Sequence, residues 1–322
     1  MVFYAIAAAV NQSSLIIMRR LLYCLFCFCY MAIPSFSDDI IFADQKVKAL
    51  CVANWDVDNN GELSTDEAAI VESLGSVFRE QAGISTFEEL RYFTGLAAIN
   101  DYAFYKSSIT TVSFPENVKA IGEYAFSESN IGPKLIVPGT VKKIEAYSFY
   151  NCAQLNSVLL EDGVEEIGYE AFNGPIGYMS LSSTLTSIKD MFINPYVNAA
   201  PGSGVFVPKG DFWLQVHAST PPSINMYAFY YVFASGHIIV PFGCVEAYKD
   251  ATAWSYFNEY LEAGDVNGDG ALNIKDVVSL NAYIMGNNPS PFDVRLADLN
   301  GDGNINVKDV TLMCSWIMNQ KQ

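Results

Sequence analysis

Oxygen-bearing side chains are concentrated in two short segments near the end of the chain, and their spacing is the pattern best suited to metal chemistry. In the first segment, the potential ligands are Asp265, Asn267, Asp269, Ala271, Asn273 and Asp276. The second segment repeats the pattern with Asp298, Asn300, Asp302, Asn304, Asn306 and Asp309. Ala271 and Asn304 would each contribute only a backbone carbonyl, and a glycine precedes each of them where the chain must turn. Hard cations take six to eight oxygens, so each segment is predicted to bind one calcium ion.

A third segment near the start of the chain has a related pattern. Its potential ligands are Asp56, Asp58, Asn60, Glu62, Ser64 and Glu67. It ends in Glu, as the ordinary EF-hand loop does, because that residue binds calcium through both carboxylate oxygens. Ser64 and Glu67 also have the spacing of a capping box at the start of a helix. We therefore predict a third calcium ion here.

Helices are expected beside all three loops. Apolar residues follow the two C-terminal loops at helical spacing, namely Val277, Leu280 and Ile284, then Val310, Cys314 and Ile317. Around the N-terminal loop, Val47, Leu50, Cys51 and Trp55 predict an entering helix, and Ile70, Val71 and Leu74 an exiting one. A single loop of this kind usually needs a partner surface, so residues 38–95 are expected to pack on the segment that follows.

The middle of the chain repeats itself about every 23 residues. The repeated triplets are Tyr102-Ala103-Phe104, Tyr124-Ala125-Phe126, Tyr147-Ser148-Phe149 and Glu170-Ala171-Phe172, followed by Met191-Phe192. A second frame agrees, because Ile121, Ile144, Ile167 and Ile188 recur with the same spacing. This period predicts a solenoid in which each unit buries its apolar edge by stacking on its neighbours. The triplets are expected to be core rather than a ligand-binding ladder, and the solvent-facing strand positions are the expected binding surface.

Regularity fades over residues 193–237, which are rich in Asn, Pro, Gly and Ser. It returns at Ile238–Pro241, and a helical stretch over 245–257 is predicted to be the terminal cap that an exposed solenoid end requires.

Composition excludes several classes of function. The 322 residues carry a formal net charge of −17 with a pI near 4.4, which disfavours nucleic acid and anionic membrane surfaces as partners. His217 and His237 are the only histidines in the sequence, so a histidine base or a multi-histidine metal site is disfavoured. At about 100–200 residues per domain, the length suggests two or three units.

The N-terminal region, residues 1–37, is predicted to be an export signal. Arg19 and Arg20 precede an apolar run that ends at Pro34, and Ser35-Phe36-Ser37 suits a signal peptidase. Met18 is a second potential start of translation. The run is shorter than the about 20 residues of a membrane span, so cleavage is favoured over an uncleaved anchor, and the mature chain is not expected to insert in a membrane.

Residues 96–262 resemble the BspA-type leucine-rich repeats of bacterial surface proteins. The resemblance rests on Ile121-Gly122-Glu-Tyr-Ala125-Phe126 and on Ile167-Gly168-Tyr-Glu-Ala171-Phe172, with residues 188–192 as a degraded copy. The preceding unit, 38–95, is similar to a short domain often found before such repeats in gut bacteria. The implied fold is an α/β repeat solenoid with short strands, flanked by small all-α calcium-binding modules of EF-hand and dockerin type.

Residues 263–322 resemble a type I dockerin, and Asp276 and Asp309 at the ends of its loops agree with that family. The resemblance implies a domain that folds on two calcium ions and binds a cohesin module. It also assigns partner binding to the tenth and eleventh loop positions, which are Ile274, Lys275, Val307 and Lys308. The similarity of these two pairs would allow docking in either of two flipped orientations.

Together these features predict a secreted or cell-surface binding protein that is not an enzyme. Its repeats would present a face to a host protein or a glycan, and its dockerin would attach it to a cohesin. Two alternatives stay open: an accessory component of a polysaccharide-degrading complex, and a structural spacer stabilised by calcium. A catalytic glycosidase would need carboxylates set across a cleft at a fixed distance, and Glu161, Asp162, Glu165 and Glu166 are instead expected on solvated turns.

Overall fold

A computed structural model describes residues 38–189, 193–194, 196–198, 206–208, 212–224, 228 and 236–319. The predicted export segment, the Met191-Phe192 copy and the residues on either side of Ala228 lie outside this set. Residues Ile40–Gln322 group into one compact unit. Within the described part of the chain, every helix is too short or too polar to cross a bilayer.

Short strands dominate the middle of the molecule, and helices lie near its two ends. The helices are α1 (Gln45–Trp55), α2 (Thr65–Ala69), α3 (Val245–Asp250), α4 (Ile274–Ile284) and α5 (Val307–Asn319), with 3-10 turns at Glu88–Tyr92, Trp254–Tyr256 and Val294–Leu296. The first eleven strands are β1 (Thr86–Phe87), β2 (Ala98–Ile99), β3 (Thr111–Val112), β4 (Ala120–Ile121), β5 (Lys134–Val137), β6 (Lys143–Ile144), β7 (Ser157–Leu160), β8 (Glu166–Ile167), β9 (Phe172–Asn173), β10 (Tyr178–Leu181) and β11 (Ser187–Ile188). The later strands are β12 (Ile193–Asn194), β13 (Tyr196–Asn198), β14 (Phe206–Pro208), β15 (Phe212–Val216), β16 (Gly236–Pro241) and β17 (Glu259–Ala263).

Most of the strands form two long parallel sheets, which confirms the predicted repeat solenoid, and the rest form three two-stranded sheets, β1-β3, β9-β12 and the antiparallel β13-β14. One sheet has five strands in the order β11-β8-β6-β4-β2, and the other has six in the order β17-β16-β15-β10-β7-β5. Over β4 to β11, neighbouring strands in each sheet come from successive coils, so each of these coils adds a strand to both sheets, whereas β15, β16 and β17 extend the six-stranded sheet alone. Such a coil cannot bury its apolar edge alone, and stacking supplies the missing contacts.

Two ladders of apolar side chains fill the core of the solenoid. Isoleucines at one register position pair from strand to strand across the five-stranded sheet, as the second sequence frame predicts. The phenylalanines of the triplets stack with centroids 4.8–5.1 Å apart and nearly parallel rings; they are Phe104, Phe126, Phe149 and Phe172. All four are at most 1% exposed, so the prediction that they form the core is confirmed.

The tyrosines of the same triplets do not lie in the core, and that part of the prediction is wrong. Tyr102, Tyr124 and Tyr147 stack on one another outside the phenylalanine ladder, with centroids 5.0 and 4.7 Å apart. Each has a positive φ of 55–58°, which turns the chain so that the tyrosine points outward while the phenylalanine two residues later points inward. Because the rings cover each other's faces, the ladder offers its edges, and not its faces, to solvent.

The N-terminal unit packs directly on the first repeats, as expected for a single calcium loop. Trp55 contacts the ring of Phe78, and Phe78 stacks at 5.2 Å on Phe104 of the repeat ladder. β1 pairs in parallel with β3, so the repeat geometry begins before residue 96. The predicted exiting helix is shorter than expected, because α2 ends at Ala69 and Ile70 is 68% exposed.

The far end of the solenoid differs from its prediction in two ways. The segment 193–237 was expected to be irregular, yet it contains β15, a central strand of the six-stranded sheet. The predicted helical cap is divided into α3 and a 3-10 turn by Ala253, whose φ is +71°. β17 then pairs with β16 and forms the edge of the sheet, so the sheet ends after the cap and runs directly into the first dockerin-like loop.

Candidate metal centres

The first C-terminal loop folds around its own side-chain oxygens. Asp265 accepts hydrogen bonds from the N–H groups of Asp269 and Gly270, at 3.0 and 2.9 Å. Asp276, which is completely buried, accepts from the N–H of Asn273 and the side-chain amide of Asn267. Asn273 caps α4, so the loop and the helix form one element. The loop is thus held in shape by hydrogen bonds to the carboxylates of its first and last predicted ligands.

The second loop has the same arrangement. Asp298 accepts from the N–H of Gly303 at 2.8 Å, and the buried Asp309 accepts from the N–H groups of Leu299 and Asn306 at 2.9 and 2.8 Å. One lysine lies near each loop: Lys275 contacts Asp269, and Lys308 contacts Asp302, at 3.0 and 3.1 Å. Both lysine side chains are at least 70% exposed, so they neutralise the outer carboxylates only.

One oxygen of Asp298 shows that a cation fits the second loop. Its Oδ1 atom is buried and has no hydrogen-bond partner among the described residues. Burial raises the pKa of Asp298 to about 6, in spite of the hydrogen bond from Gly303, and burial also raises the pKa of Asp276. A buried carboxylate oxygen without a partner is costly unless a donor or a cation compensates for it. The predicted ligands of the loop are all oxygen atoms, and calcium is the ion that such ligands suit.

The N-terminal loop brings three carboxylates together. Asp56, Asp58 and Glu67 each place an oxygen within 4.8 Å of the others. Asp56 accepts from the N–H of Gly61 at 2.9 Å, and Asn60 accepts from that of Glu62 at 2.7 Å. The predicted capping box is present, because Ser64 and Glu67 exchange hydrogen bonds at the start of α2.

The four residues predicted to bind a partner all lie at the surface. Ile274 and Val307 are 68% and 69% exposed, which is high for β-branched apolar side chains at the start of two helices. Their neighbours Lys275 and Lys308 are exposed to the same degree. The two pairs therefore have equivalent surroundings, as their similar sequences predict.

The outward face of the six-stranded sheet is covered in large part by the dockerin-like region, which corrects the prediction that it is a free binding surface. The covered positions form one register row across four strands: Leu159, Ser180, Gln215 and Ile239. All four are at most 2% exposed although their side chains point away from the solenoid core. Ile239 belongs to the same apolar cluster as Leu280 of α4 and Met313 of α5.

Two polar residues join the sheet to the second loop, and sequence analysis missed both. Gln215 donates to the backbone carbonyl of Asp298 at 2.6 Å, and His217 lies 3.1 Å from that of Leu299. A carbonyl oxygen only accepts, so the His217 Nδ1 atom carries the proton, and burial lowers the pKa of this histidine, which favours the neutral ring. The short run of aromatic and aliphatic residues over Phe212–Val216, which Gln215 alone interrupts, is the sequence signal that would have indicated a strand here.

Beyond the covered row, an open groove of about 420 Å³ remains at the start of the solenoid. Its floor includes Val112, Phe114 and Ile136, and Glu88 and Lys134 lie at its rim. Ile136 is the register neighbour of Leu159 on the adjacent strand, yet it is 41% exposed. This groove is the part of the repeat face that stays accessible.

The carboxylates considered for catalysis hold turns together instead. Glu161 accepts from the N–H of Gly139, Asp162 accepts from that of Ser183, and Glu165 pairs with Lys142. All three lie at exposed positions, which agrees with the expectation of solvated turns.

Two family models match the chain, whereas no curated protein does. The model for the BspA type leucine rich repeat region matches residues 83–196 in six copies, and that for the dockerin type I domain matches residues 263–317. Both are non-catalytic modules typical of extracellular or cell-surface proteins, and type I dockerin domains bind calcium and cohesin modules. The resemblances to BspA-type repeats and to a dockerin are thereby confirmed over these residues: this chain contains BspA-type leucine-rich repeats and, after them, a type I dockerin domain.

Proposed function

We propose that this chain is a secreted or cell-surface binding protein without enzymatic activity, and that its calcium-loaded dockerin attaches it to a cohesin module. The observation that carries the proposal is the exposure of two equivalent pairs of residues at the starts of α4 and α5. Ile274 and Val307 lie in solvent beside loops whose carboxylates are buried. Large exposed apolar side chains at both positions that the resemblance assigns to partner binding support a protein–protein interface there.

Calcium is proposed at three loops: two in the dockerin and one at residues 56–67. The unpartnered oxygen of Asp298 supports the second dockerin site, and the close carboxylates of Asp56, Asp58 and Glu67 support the N-terminal site. Like charges so close together repel unless a cation lies between them. Calcium that binds only the folded state also stabilises it, by about 2.7 kcal/mol at a free concentration of a hundred times the dissociation constant.

The repeats are proposed to bind a host protein or a glycan through the groove around Ile136. This is the accessible remainder of the repeat face, and it combines an apolar floor with one acidic and one basic rim residue. The coverage of the other strands by the dockerin favours a second candidate, in which the solenoid is chiefly a rigid spacer.

A pull-down from the envelope and secreted fraction of the producing organism tests the docking. The bait is the mature chain in calcium, and the calcium-binding control is the Asp276→Ala/Asp309→Ala variant. A second variant, Ile274→Asp/Val307→Asp, keeps every proposed ligand and removes the apolar contacts. We expect the wild-type chain alone to capture a protein whose sequence contains a cohesin module. Equal capture by all three baits, or capture of no cohesin, would contradict the proposal.

A glycan-release assay with the same chain tests the absence of enzymatic activity. We expect no turnover on plant or host polysaccharides, and measurable turnover would overturn this part of the proposal.

A further inference from the structure

The two calcium loops of the dockerin are nearly identical in sequence and backbone, but they differ in what surrounds them. Gly268 and Gly301 occupy the fourth position of each loop with φ values of +69° and +68°. A Cβ atom added at Gly268 would meet no described atom within 4 Å, whereas one at Gly301 would lie 2.9 Å from Ser180 Oγ and closer still to His217 Nε2. The sixth positions show the same contrast.

At those sixth positions, Gly270 and Gly303 have φ values of +80° and +78°. A Cβ at Gly270 would again lie in open space among the described residues. One at Gly303 would lie 2.5 Å from Leu159 Cδ2 and 2.7 Å from Lys134 Nζ. Of the two loops, then, only the second lies against side chains of the repeat sheet at these positions, and a Cβ atom at either of its glycines would have to displace them.

Side chains of the sheet also hold the backbone of the second loop. Gln215 is fully buried; it accepts from the hydroxyl of Tyr178 at 2.5 Å and donates to the carbonyl of Asp298. Ser180 lies 2.8 Å from Nε2 of His217, whose other nitrogen faces the carbonyl of Leu299. These are the first two residues of the loop, so the sheet fixes the loop where its ligands begin.

We propose that the second calcium loop is a clasp that binds the dockerin to its own repeat sheet, and that the two loops differ in role despite their similar sequences. The inference rests on the calcium binding proposed above. A loop already held by Gln215 and His217 loses less conformational freedom when it binds the ion, so it binds calcium more tightly. Coupling between binding events is reciprocal, so calcium in this loop must also strengthen the contact with the sheet.

The clasp leaves the proposed cohesin surface free. Val307 and Lys308 lie near the end of the second loop, but their side chains are as exposed as those of Ile274 and Lys275. The contact uses the glycines and carbonyls of the loop, not these side chains. A bound cohesin would therefore be held in a fixed orientation relative to the repeats.

Calcium titration of the mature chain by calorimetry tests the clasp with a matched pair of variants, Gly301→Ala and Gly268→Ala. Both place a side chain at the same positive φ, so the backbone strain is equal and only the contact with the sheet differs. We expect Gly301→Ala to weaken calcium binding at the second loop about tenfold more than Gly268→Ala weakens it at the first loop. A tenfold difference in affinity corresponds to about 1.4 kcal/mol. Equal weakening by the two substitutions would overturn the inference.

A second pair of variants, with substitutions in the sheet and not in the calcium loops, keeps the test valid if an alanine within a loop prevents that loop from folding. Leu159→Ala and Ile136→Ala alter neighbouring positions of one register row, of which only Leu159 is covered by the second loop. We expect Leu159→Ala to weaken calcium binding at one site by about threefold or more, and Ile136→Ala to leave the calcium affinity of every site unchanged. An unchanged affinity in both variants would contradict the clasp while leaving the calcium sites intact. A wild-type chain that binds no calcium would overturn both this inference and the proposed sites.

Discussion

At the scale of single residues, buried charge is the strongest argument for the metal. Asp298 lies beside Asp309 and Asp302, and both raise its pKa further after burial has done so. The N–H of Gly303 donates to the Oδ2 atom of Asp298, and the Oδ1 atom has no hydrogen-bond partner in the described structure. An isolated carboxylate in such a place is unfavourable, so the loop is complete only with a cation.

The N-terminal site is tested by Asp56→Asn, which keeps the shape of the side chain and removes one charge. Asp56 is the first ligand of its loop, and one of its oxygens accepts from the N–H of Gly61. We expect the calcium stoichiometry of the mature chain, measured by calorimetry, to fall from three to two. The substitution Asp66→Asn, next to the final ligand but outside the ligand set, is the control and should leave three sites. A stoichiometry of two in the wild-type chain would show that this loop binds no calcium.

A close approach between two turns predicts a strong effect of one small substitution. Gly163 has a φ of +123°, and a Cβ atom there would lie 2.8 Å from the carbonyl carbon of Gly139. We expect Gly163→Ala to lower the free energy of unfolding by about 1–3 kcal/mol more than Gly243→Ala, which also has a positive φ but open space around it. Urea denaturation measures both, and equal losses would show that the turns can separate without cost.

At the scale of elements, the two aromatic ladders show what sequence analysis could and could not predict. The period identified the phenylalanines and isoleucines as core, because an apolar residue that recurs in every coil must stack on its copies. The period could not show that Phe126 is buried and Tyr124 is not, because both residues recur in every triplet of this kind. The direction of each ring depends on a positive φ at the tyrosine, and such a backbone conformation has no sequence signature in a non-glycine residue. The shortened α2 has a similar cause, because Val71 and Leu74 are buried by non-helical chain after Ala69, while Ile70 is left exposed.

The ladders predict unequal effects of two alanine substitutions. Phe126 is fully buried between Phe104 and Phe149, so Phe126→Ala should lower the free energy of unfolding by about 3–5 kcal/mol. Tyr124→Ala removes two stacking contacts at the surface, each worth about 0.5–1.5 kcal/mol, and should cost about 1–3 kcal/mol. Chemical denaturation of the two variants measures both losses in the free energy of unfolding, and we expect the loss for Phe126→Ala to be the larger. A larger loss for Tyr124→Ala would mean that the outer ladder, and not the core, holds the repeats together.

At the scale of the whole molecule, the contact between the dockerin and the repeats is the feature that no motif indicated. Each module has a recognisable pattern, because its own core or its own ligands constrain its residues. The contact between modules depends on Gln215 and His217, which lie outside every repeat signature, and on backbone carbonyls, which any residue supplies. Leu159 has the same apolar character as the exposed Ile136, so composition could not show which of them would be covered.

Calcium removal should separate the molecule into a folded and an unfolded part. The main apolar cluster of the repeats contains no dockerin residue, and the second cluster joins the dockerin to Ile239 of the sheet, so we expect the repeat core to stay folded without the dockerin. The dockerin, in contrast, depends on loops whose carboxylates repel one another without the ion. We expect a chelator to remove about half of the helical circular dichroism of the mature chain, because α4 and α5 contain 11 and 13 residues and the other three α-helices 11, 5 and 6.

The same treatment should expose Leu159 and Ile239, so a dye that binds apolar surfaces should gain fluorescence, while the strand signal of the repeats persists. The Asp276→Ala/Asp309→Ala variant in calcium should behave as the wild-type chain does in chelator, which shows that the effect comes from the two dockerin loops. Loss of the strand signal together with the helical signal would mean that the repeats do not stay folded without the dockerin. An unchanged spectrum in chelator would mean that the loops fold without metal, and the buried, unpartnered oxygen of Asp298 would then need another explanation.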